Sequence, residues 1–403
     1  MMKKRMIVPA IALTTIFMAF LCGCSNSESA NGPAENTAEN SEPDLSAGKS
    51  VSVFIASDRH DNGEGNNLIA ALQMATSRLD VVIPQTVLLG GDYVGNKKDM
   101  QPEFTIKDIE EEIYRVLDPN KTEVFLTYGS HDRNCVEGYA PFFSGPKREQ
   151  GFYIYGISYM QMSYSNDSAA KADMQRYKVY SDSIASLPDS LKNNLNEMPP
   201  PPDSTAGKSG DKKREKPKMP NKGYGDIDAA DPFGISAESA TRRFTAWVNS
   251  LTDNAPIIMM SHKPLHYNRE DNSGAETWFK AIEAAAKKHD IIFFYAHNHT
   301  LEEMDDSAMV NIETNSHMML PGDSITVQGD SLEGTPRHEL KFIYANAGYL
   351  SLGWSSLVTF TDIDTDGKLD YVSIRRFNIL GEDDSYFGTT DKKNPLVTRL
   401  REK

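Results

Sequence analysis

Carboxylates and imidazoles recur at one kind of position in this chain, immediately after a short apolar run. Asp58-Arg59-His60 follows VSVFIAS, and Gly90-Gly91-Asp92 follows TVLL. Gly129-Ser130-His131-Asp132 follows EVFLTY, Ser261-His262 follows PIIMM, and His297-Asn298-His299 follows IIFFYA. Five of the nine histidines fall in this set. Short β-branched runs of this sort read as buried strands, and in an open α/β sheet the carboxyl ends of parallel strands face one crevice. Imidazole and carboxylate donors gathered there point to a first-row metal site. Residues i and i+2 of an extended segment point the same way. Asp58 with His60, and His297 with His299, are therefore expected to offer two side chains each to one region. Asp92 has two oxygens with several lone pairs and could bridge two cations. Two divalent ions would also offset the repulsion of clustered carboxylates.

Those positions need a scaffold of alternating strands and helices. Residues 66–79 have helical spacing with an Asn as N-cap, and residues 104–117 are amphipathic and rich in Glu. GFYIYGISYMQMSY reads as a further strand. TRRFTAWVNSL and residues 277–289 read as helices, each preceding or following an apolar strand. KFIYANAG, LVTFTDID and YVSIRRF make a strand-rich C-terminal stretch. The alternation predicts an α/β domain with largely buried central strands.

The ordered series resembles the calcineurin-like metallophosphoesterase superfamily, whose pattern is Asp-x-His, Gly-Asp, Gly-Asn-His-(Asp/Glu), His and Gly-His-x-His. The resemblance covers residues 51–378 with all five motifs in order. It implies an α/β fold, a four-layer αββα sandwich of two mixed sheets flanked by helices. It also implies two divalent or trivalent ions, such as Mn, Fe or Zn. Asp58, His60, Asp92 and His299 would hold one, and Asp92, His262 and His297 the second, with Asp92 bridging. His131 would protonate the leaving oxygen or stabilise the charge developing on it. The implied reaction is hydrolysis of a phosphate ester, the substrate a phosphorylated small molecule or a phosphodiester. Two departures stand out. Ser130 replaces the family's Asn, a shorter side chain and a poorer ligand, so Ser130 is a doubtful metal ligand and the second site could be weak. Ala296 replaces the Gly before His297 and adds only a methyl. Ser130 also motivates an alternative, a degenerate member that keeps the fold as a binding or interaction module. Arg59 and Arg133 flank the motifs and could contact phosphate as forked donors, and His266 is near enough to His262 to line the pocket.

The chain has 403 residues, 42 Lys plus Arg against 57 Asp plus Glu, and a formal net charge of −15. An acidic balance argues against a nucleic-acid scaffold, which needs a basic face. Three cysteines are too few for a disulfide framework. Lys3, Lys4 and Arg5 precede an uncharged stretch from Met6 to Gly23, the pattern of a secretory signal. Its end, Leu21-Cys22-Gly23-Cys24, resembles a bacterial lipoprotein box. Residues 1–23 are then a lipoprotein signal peptide, Cys24 the lipidated residue, and the cell envelope the destination. Ser25 in place of Asp makes outer-membrane anchoring the expectation. An uncleaved membrane anchor is the other reading, since such a stretch can just span a bilayer. Residues 24–49, small, polar and acidic, read as a flexible tether. Residues 50–395 read as the catalytic domain, interrupted at about 165–240 by a Pro- and Lys-rich insertion. Residues 208–222 of that insertion carry seven Lys or Arg against two acids. It reads as a solvated excursion, or as a cation patch for anionic partners such as lipid headgroups.

Other motifs fall short. Asp362-x-Asp364-x-Asp366-Gly367 begins like a calcium loop, but Ser373 stands where the bidentate Glu is required and the flanks read as strands. A hairpin turn at Asp366-Gly367 is expected instead. Ala-Gly-Lys-Ser at 47–50 and 206–209 lacks the first Gly of a phosphate-binding loop. Cys135 would need an activating base to act as a nucleophile, and no Gly-x-Ser-x-Gly elbow is present.

Overall fold

The apolar runs are hydrophobic on both sides because both sides are covered. A computed structural model describes residues 45–60, 67–77, 82–93, 106–132, 143, 145–173, 175–176, 234–266, 272–297, 318–327, 337–380 and 396–401. In the first sheet lie β1 (Lys49–Ala56), β2 (Thr86–Leu89) and β3 (Glu123–Leu126). The second begins with β4 (Gly145–Arg148), β5 (Tyr153–Ile157), β6 (Ile257–Ser261) and β7 (Ile291–Tyr295). A small ribbon of β8 (Ser324–Thr326) and β9 (Arg337–Glu339) precedes β10 (Ile343–Asn346), and β11 (Trp354–Asp362), β12 (Tyr371–Asn378) and β13 (Leu396–Arg399) follow. Among the described residues the first sheet runs β13-β12-β11-β1-β2-β3 and the second β10-β7-β6-β5-β4. Both are mixed. β1, β2 and β3 are parallel while β11, β12 and β13 are antiparallel, and β10, β7, β6 and β5 are parallel with β4 reversed.

Period-two alternation assigns each face. Val53 and Ile55 of β1 meet Ile258 and Met260 of β6 and Ile292 and Phe294 of β7 in a core between the sheets. Phe54 and Ala56 face the other way, against Leu68, Leu72 and Ala75 of α1 (Asn67–Ser77) and Ile109 and Ile113 of α2 (Ile106–Ile113). The outward residues of the second sheet are Ile257, Met259, Phe293 and Tyr295. They pack on Phe244 and Val248 of α4 (Ala237–Ser250) and Trp278 and Ile282 of α5 (Ala275–Ala285). A short α3 (Tyr159–Ser163) precedes α4. Four layers, αββα, result.

Several boundaries differ from the sequence reading. Leu45–Ala47 form a 3-10 turn and β1 starts at Lys49, both within the segment read as tether. The strand read through GFYIYGISYMQMSY ends at Ile157, and Tyr159–Ser163 turns helical because Ser158 and Gln161 form a reciprocal capping box. The insertion is shorter at both ends than its composition suggests. Asp167 accepts hydrogen bonds from Ser236 (2.5 Å) and Ser239 (2.6 Å), joining its two edges at the start of α4. β11 and β12 do form a hairpin, but its last pair is Thr361 with Tyr371, so nine residues between them replace the tight Asp366-Gly367 turn. Cys24, the signal segment and residues 24–44 lie outside the described residues, as do Arg133, Cys135 and most of the insertion. No helix among the described residues is long and apolar enough to cross a membrane.

Candidate metal centre

β1, β2 and β3 run parallel and end side by side, and β6 and β7 do the same in the second sheet. Within three residues of those strand ends stand Asp58, Asp92, the start of the Gly129–Asp132 turn, His262 and His297. Asp92 is fully buried and lies at the centre. His262 Nε2 is 3.2 Å from Asp92 Oδ2, while His60 Nε2 and His131 Nε2 are each 3.8 Å from it. His297 Nδ1 sits 3.0 Å from His262 Nε2. Asp58 Oδ1 is 3.6 Å from His60 Nε2, and Asp58 Oδ2 accepts the backbone N–H of His297 at 3.1 Å. Ligand atoms of Asp92, His262 and His297 lie within 4.8 Å of one another, and so do those of His60, Asp92 and His131. Asp92 belongs to both groups. His299 lies outside the described residues.

The paired strand-end residues converge, though not through extended backbone. Asp58, His60, Asp92 and His297 all have positive φ, at 50°, 42°, 53° and 71°. That region is unfavourable for residues with a Cβ, so the surroundings must impose it. Asp58 N–H donates to Gly91 O at 3.0 Å and His60 N–H to Asp92 O at 3.1 Å, fastening the turn after β1 to the turn after β2. Gly91, at φ 96°, allows the close approach, because a Cβ there would lie 2.6 Å from the Gly129 nitrogen.

Asp132 had no role in the sequence reading, and it organises the floor of the site. It is fully buried. Its Oδ2 accepts from Asp92 N–H (2.9 Å) and Gly129 N–H (2.6 Å), and its Oδ1 from Tyr93 N–H (2.8 Å). The only sequence signal was an acid directly after the strand-end His131. Asp92 Oδ1 in turn accepts the His131 N–H at 2.7 Å. Ser130 Oγ lies 3.2 Å from Asp92 Oδ2, so its hydroxyl donates to the central carboxylate. Arg59 is not a phosphate contact. It is buried and its Nη2 engages Glu112 of α2 at 3.0–3.1 Å. His266 is also withdrawn into the core, with Nδ1 2.7 Å from the Tyr344 hydroxyl and its ring edge-on to Tyr295.

The charges around Asp92 act on one another. Burial pushes the Asp92 carboxyl up, but the charge and hydrogen bond of His262 outweigh this and hold it well below the usual range. Burial pulls His262 down, yet Asp92 raises it to about 9. Asp132 is pushed up to about 7 by burial and the negative Asp92, against the pull of its backbone donors. Burial lowers His131, with Asp92 opposing.

His262 Nδ1 faces the Gly90 carbonyl at 2.9 Å. That contact needs a proton on Nδ1, which turns Nε2 toward Asp92 and His297 as a donor atom. Two imidazoles and a carboxylate at these separations fit a first-row divalent ion. The family model for calcineurin-like phosphoesterases matches residues 51–301. The chain belongs to the calcineurin-like phosphoesterase family. A dimetal phosphatase from Danio rerio is similar at 12% identity and a TM-score of 0.41, over 83% of this chain and 99% of that one. No curated protein matches the sequence. The calcineurin-like fold thus accounts for the two mixed sheets with flanking helices, and their strand ends carry groups that could hold a metal ion.

Proposed function

We propose that the chain hydrolyses a phosphate ester at a dinuclear metal site. The observation that carries this reading is Asp92, whose carboxylate belongs at once to a group with His262 and His297 and to a group with His60 and His131. Asp92, His262 and His297 would hold one ion. His60 and Asp92 would hold the other, joined by Asp58 and His299 as the family pattern implies. Bound divalent ions supply Lewis-acid polarisation of the phosphoryl group and lower the pKa of water to about 7.

The chain's own groups do the positioning. Asp132 locks the turns carrying Asp92 and His131 against each other, and Gly90 O sets the ring orientation of His262. His131 is more open than His60 or His262, with 30% of its side chain exposed against 12% and 0%. It can therefore reach a substrate oxygen at the mouth and stabilise or protonate the departing alcohol.

Metal analysis of the purified full chain, run beside assays on p-nitrophenyl phosphate and bis(p-nitrophenyl) phosphate, tests the reading. Two ions per chain are expected, with hydrolysis stimulated by Mn²⁺. Both the ions and the activity should be lost in Asp92→Asn. A chain that binds two ions and cleaves neither ester would favour the binding-module reading that Ser130 motivates. The choice between monoester and diester rests on the same pair of assays.

A lipid anchor at Cys24 in the cell envelope completes the proposal. It is supported by the basic start, the uncharged stretch and the Leu-x-Gly-Cys ending. Radiolabelled fatty acid should enter the native chain and not Cys24→Ser.

A further inference from the structure

The loop joining β11 to β12 carries four aspartates, Asp362, Asp364, Asp366 and Asp370, with Gly367 between the last two. Carboxylate oxygens of the first three lie within 4.8 Å of one another. Backbone N–H groups engage one oxygen of each. Gly367 N–H donates to Asp362 Oδ2 (2.9 Å), Asp366 N–H to Asp364 Oδ1 (3.1 Å) and Lys368 N–H to Asp366 Oδ1 (2.8 Å). Asp370 does a different job, accepting Ile363 N–H at 2.7 Å and closing the loop.

Asp362 is the telling member. It is only 5% exposed, and its Oδ1 is buried with no hydrogen-bond partner. Its carboxylate faces two others at a distance where like charges repel. A buried carboxylate oxygen left unpaired is costly, and such a group calls for an ion or water. Lys368, with its exposed Nζ 3.3 Å from Asp366 Oδ2, pairs with a different carboxylate. A surface pair of that kind is weak and leaves Asp362 Oδ1 without a partner.

We infer that this loop binds a calcium ion through Asp362, Asp364 and Asp366. The donors are hard oxygens with no imidazole or thiolate among them, which suits Ca²⁺ better than Fe or Zn ions, and an open loop favours Ca²⁺ over the smaller ions that demand strict octahedral geometry. Exposed Asp364 and Asp366 leave room for waters to complete a coordination shell of six to eight oxygens. The bidentate Glu absent from position 373 is no obstacle, because Ser373 is a β12 residue paired with Thr359 and Val397. The site is remote from Asp92. β1 pairs Lys49 with Asp362 at one end and delivers Asp58 beyond the other, and the first and last of its eight residues are roughly 23 Å apart at about 3.3 Å per step. A bound ion would clamp the hairpin that pairs with β1 without entering the chemistry.

Calcium titration of the chelator-stripped full chain tests this by calorimetry and thermal unfolding. Saturable binding is expected, with a Kd of about 10⁻⁴–10⁻³ M and a rise in Tm of a few degrees. Asp92→Asn should retain both. The double variant Asp364→Asn/Asp366→Asn keeps the backbone-facing oxygens of two exposed residues, so it should fold and keep its phosphoesterase activity. Its calcium affinity should fall at least tenfold and the Tm rise should vanish. Unchanged calcium binding in that variant, absence of binding in the native chain, or loss of binding in Asp92→Asn would each overturn the inference.

Discussion

The Asp132 carboxylate holds the peptide nitrogen of Asp92 at 2.9 Å, so a buried acid that faces no open space sets the position of the residue shared by both metal-ligating groups. The same carboxylate takes Gly129 and Tyr93 N–H groups. Asn at position 132 offers one acceptor oxygen and turns an NH₂ toward backbone donors. We expect Asp132→Asn to lose about 1–3 kcal/mol of stability and about 10–100-fold in metal affinity. Thermal unfolding and metal titration check this. Native values for both would show that the clamp is dispensable.

His131 sits where two assignments compete. Its Nε2 is as far from Asp92 Oδ2 as that of His60, and the three residues form one ligand-capable group. Its greater exposure and lowered basicity suit a group that meets substrate. His131→Ala should lower kcat by roughly 10²–10⁴-fold and leave the metal content intact. A variant that loses an ion would make His131 a ligand.

Much of this centre was legible because strand ends are punctuated. An apolar run covered on both faces stops where a charged or imidazole side chain appears, so Asp58, Asp92, His131, His262 and His297 announced themselves by position. What local pattern could not carry was the backbone path. The left-handed conformations at Asp58, His60, Asp92 and His297 depend on hydrogen bonds between turns far apart in sequence, such as His60 N–H to Asp92 O. Arg59 went to Glu112 for a similar reason, since only the packing of α2 over the first sheet brings that acid within reach. Asp132 escaped assignment because its partners are peptide groups, which leave no trace in residue type. The β11–β12 loop was shortened to a two-residue turn because Asp-Gly is a strong local signal, while Asp362 and Asp370 hold the longer loop through contacts five and seven residues away.

The protons in the metal-free centre have a measurable consequence. His262 is raised from an ordinary value of 6.5 to about 9 by Asp92. Its protonated form therefore stabilises the metal-free fold fully below pH 6.5, and that contribution is lost as pH rises through 9. A divalent ion must displace this proton. Metal affinity should accordingly fall about tenfold per pH unit between 9 and 6.5, with about one proton released at pH 7 from this residue. Calorimetry in two buffers of different ionisation enthalpy counts it. Proton-neutral binding would mean that His262 is not a ligand.

Ser130 is one of the two departures from the motif pattern that the chain otherwise resembles, and its hydroxyl is spent on Asp92 at 3.2 Å. That bond removes lone-pair density from the shared carboxylate and offers only a weak neutral donor atom in return. Ser130→Asn restores a longer side chain whose amide oxygen can act as a ligand while the Asp132 and His131 contacts to Asp92 stay in place. The expected result is about a tenfold gain in affinity for the ion held with His262 and His297, and higher hydrolysis at limiting Mn²⁺ with little change at saturation. Metal titration against rate measures both at once. A gain at saturating metal as well would locate the defect in the chemistry and not in occupancy, and an unchanged titration would show that Ser130 already leaves the site complete.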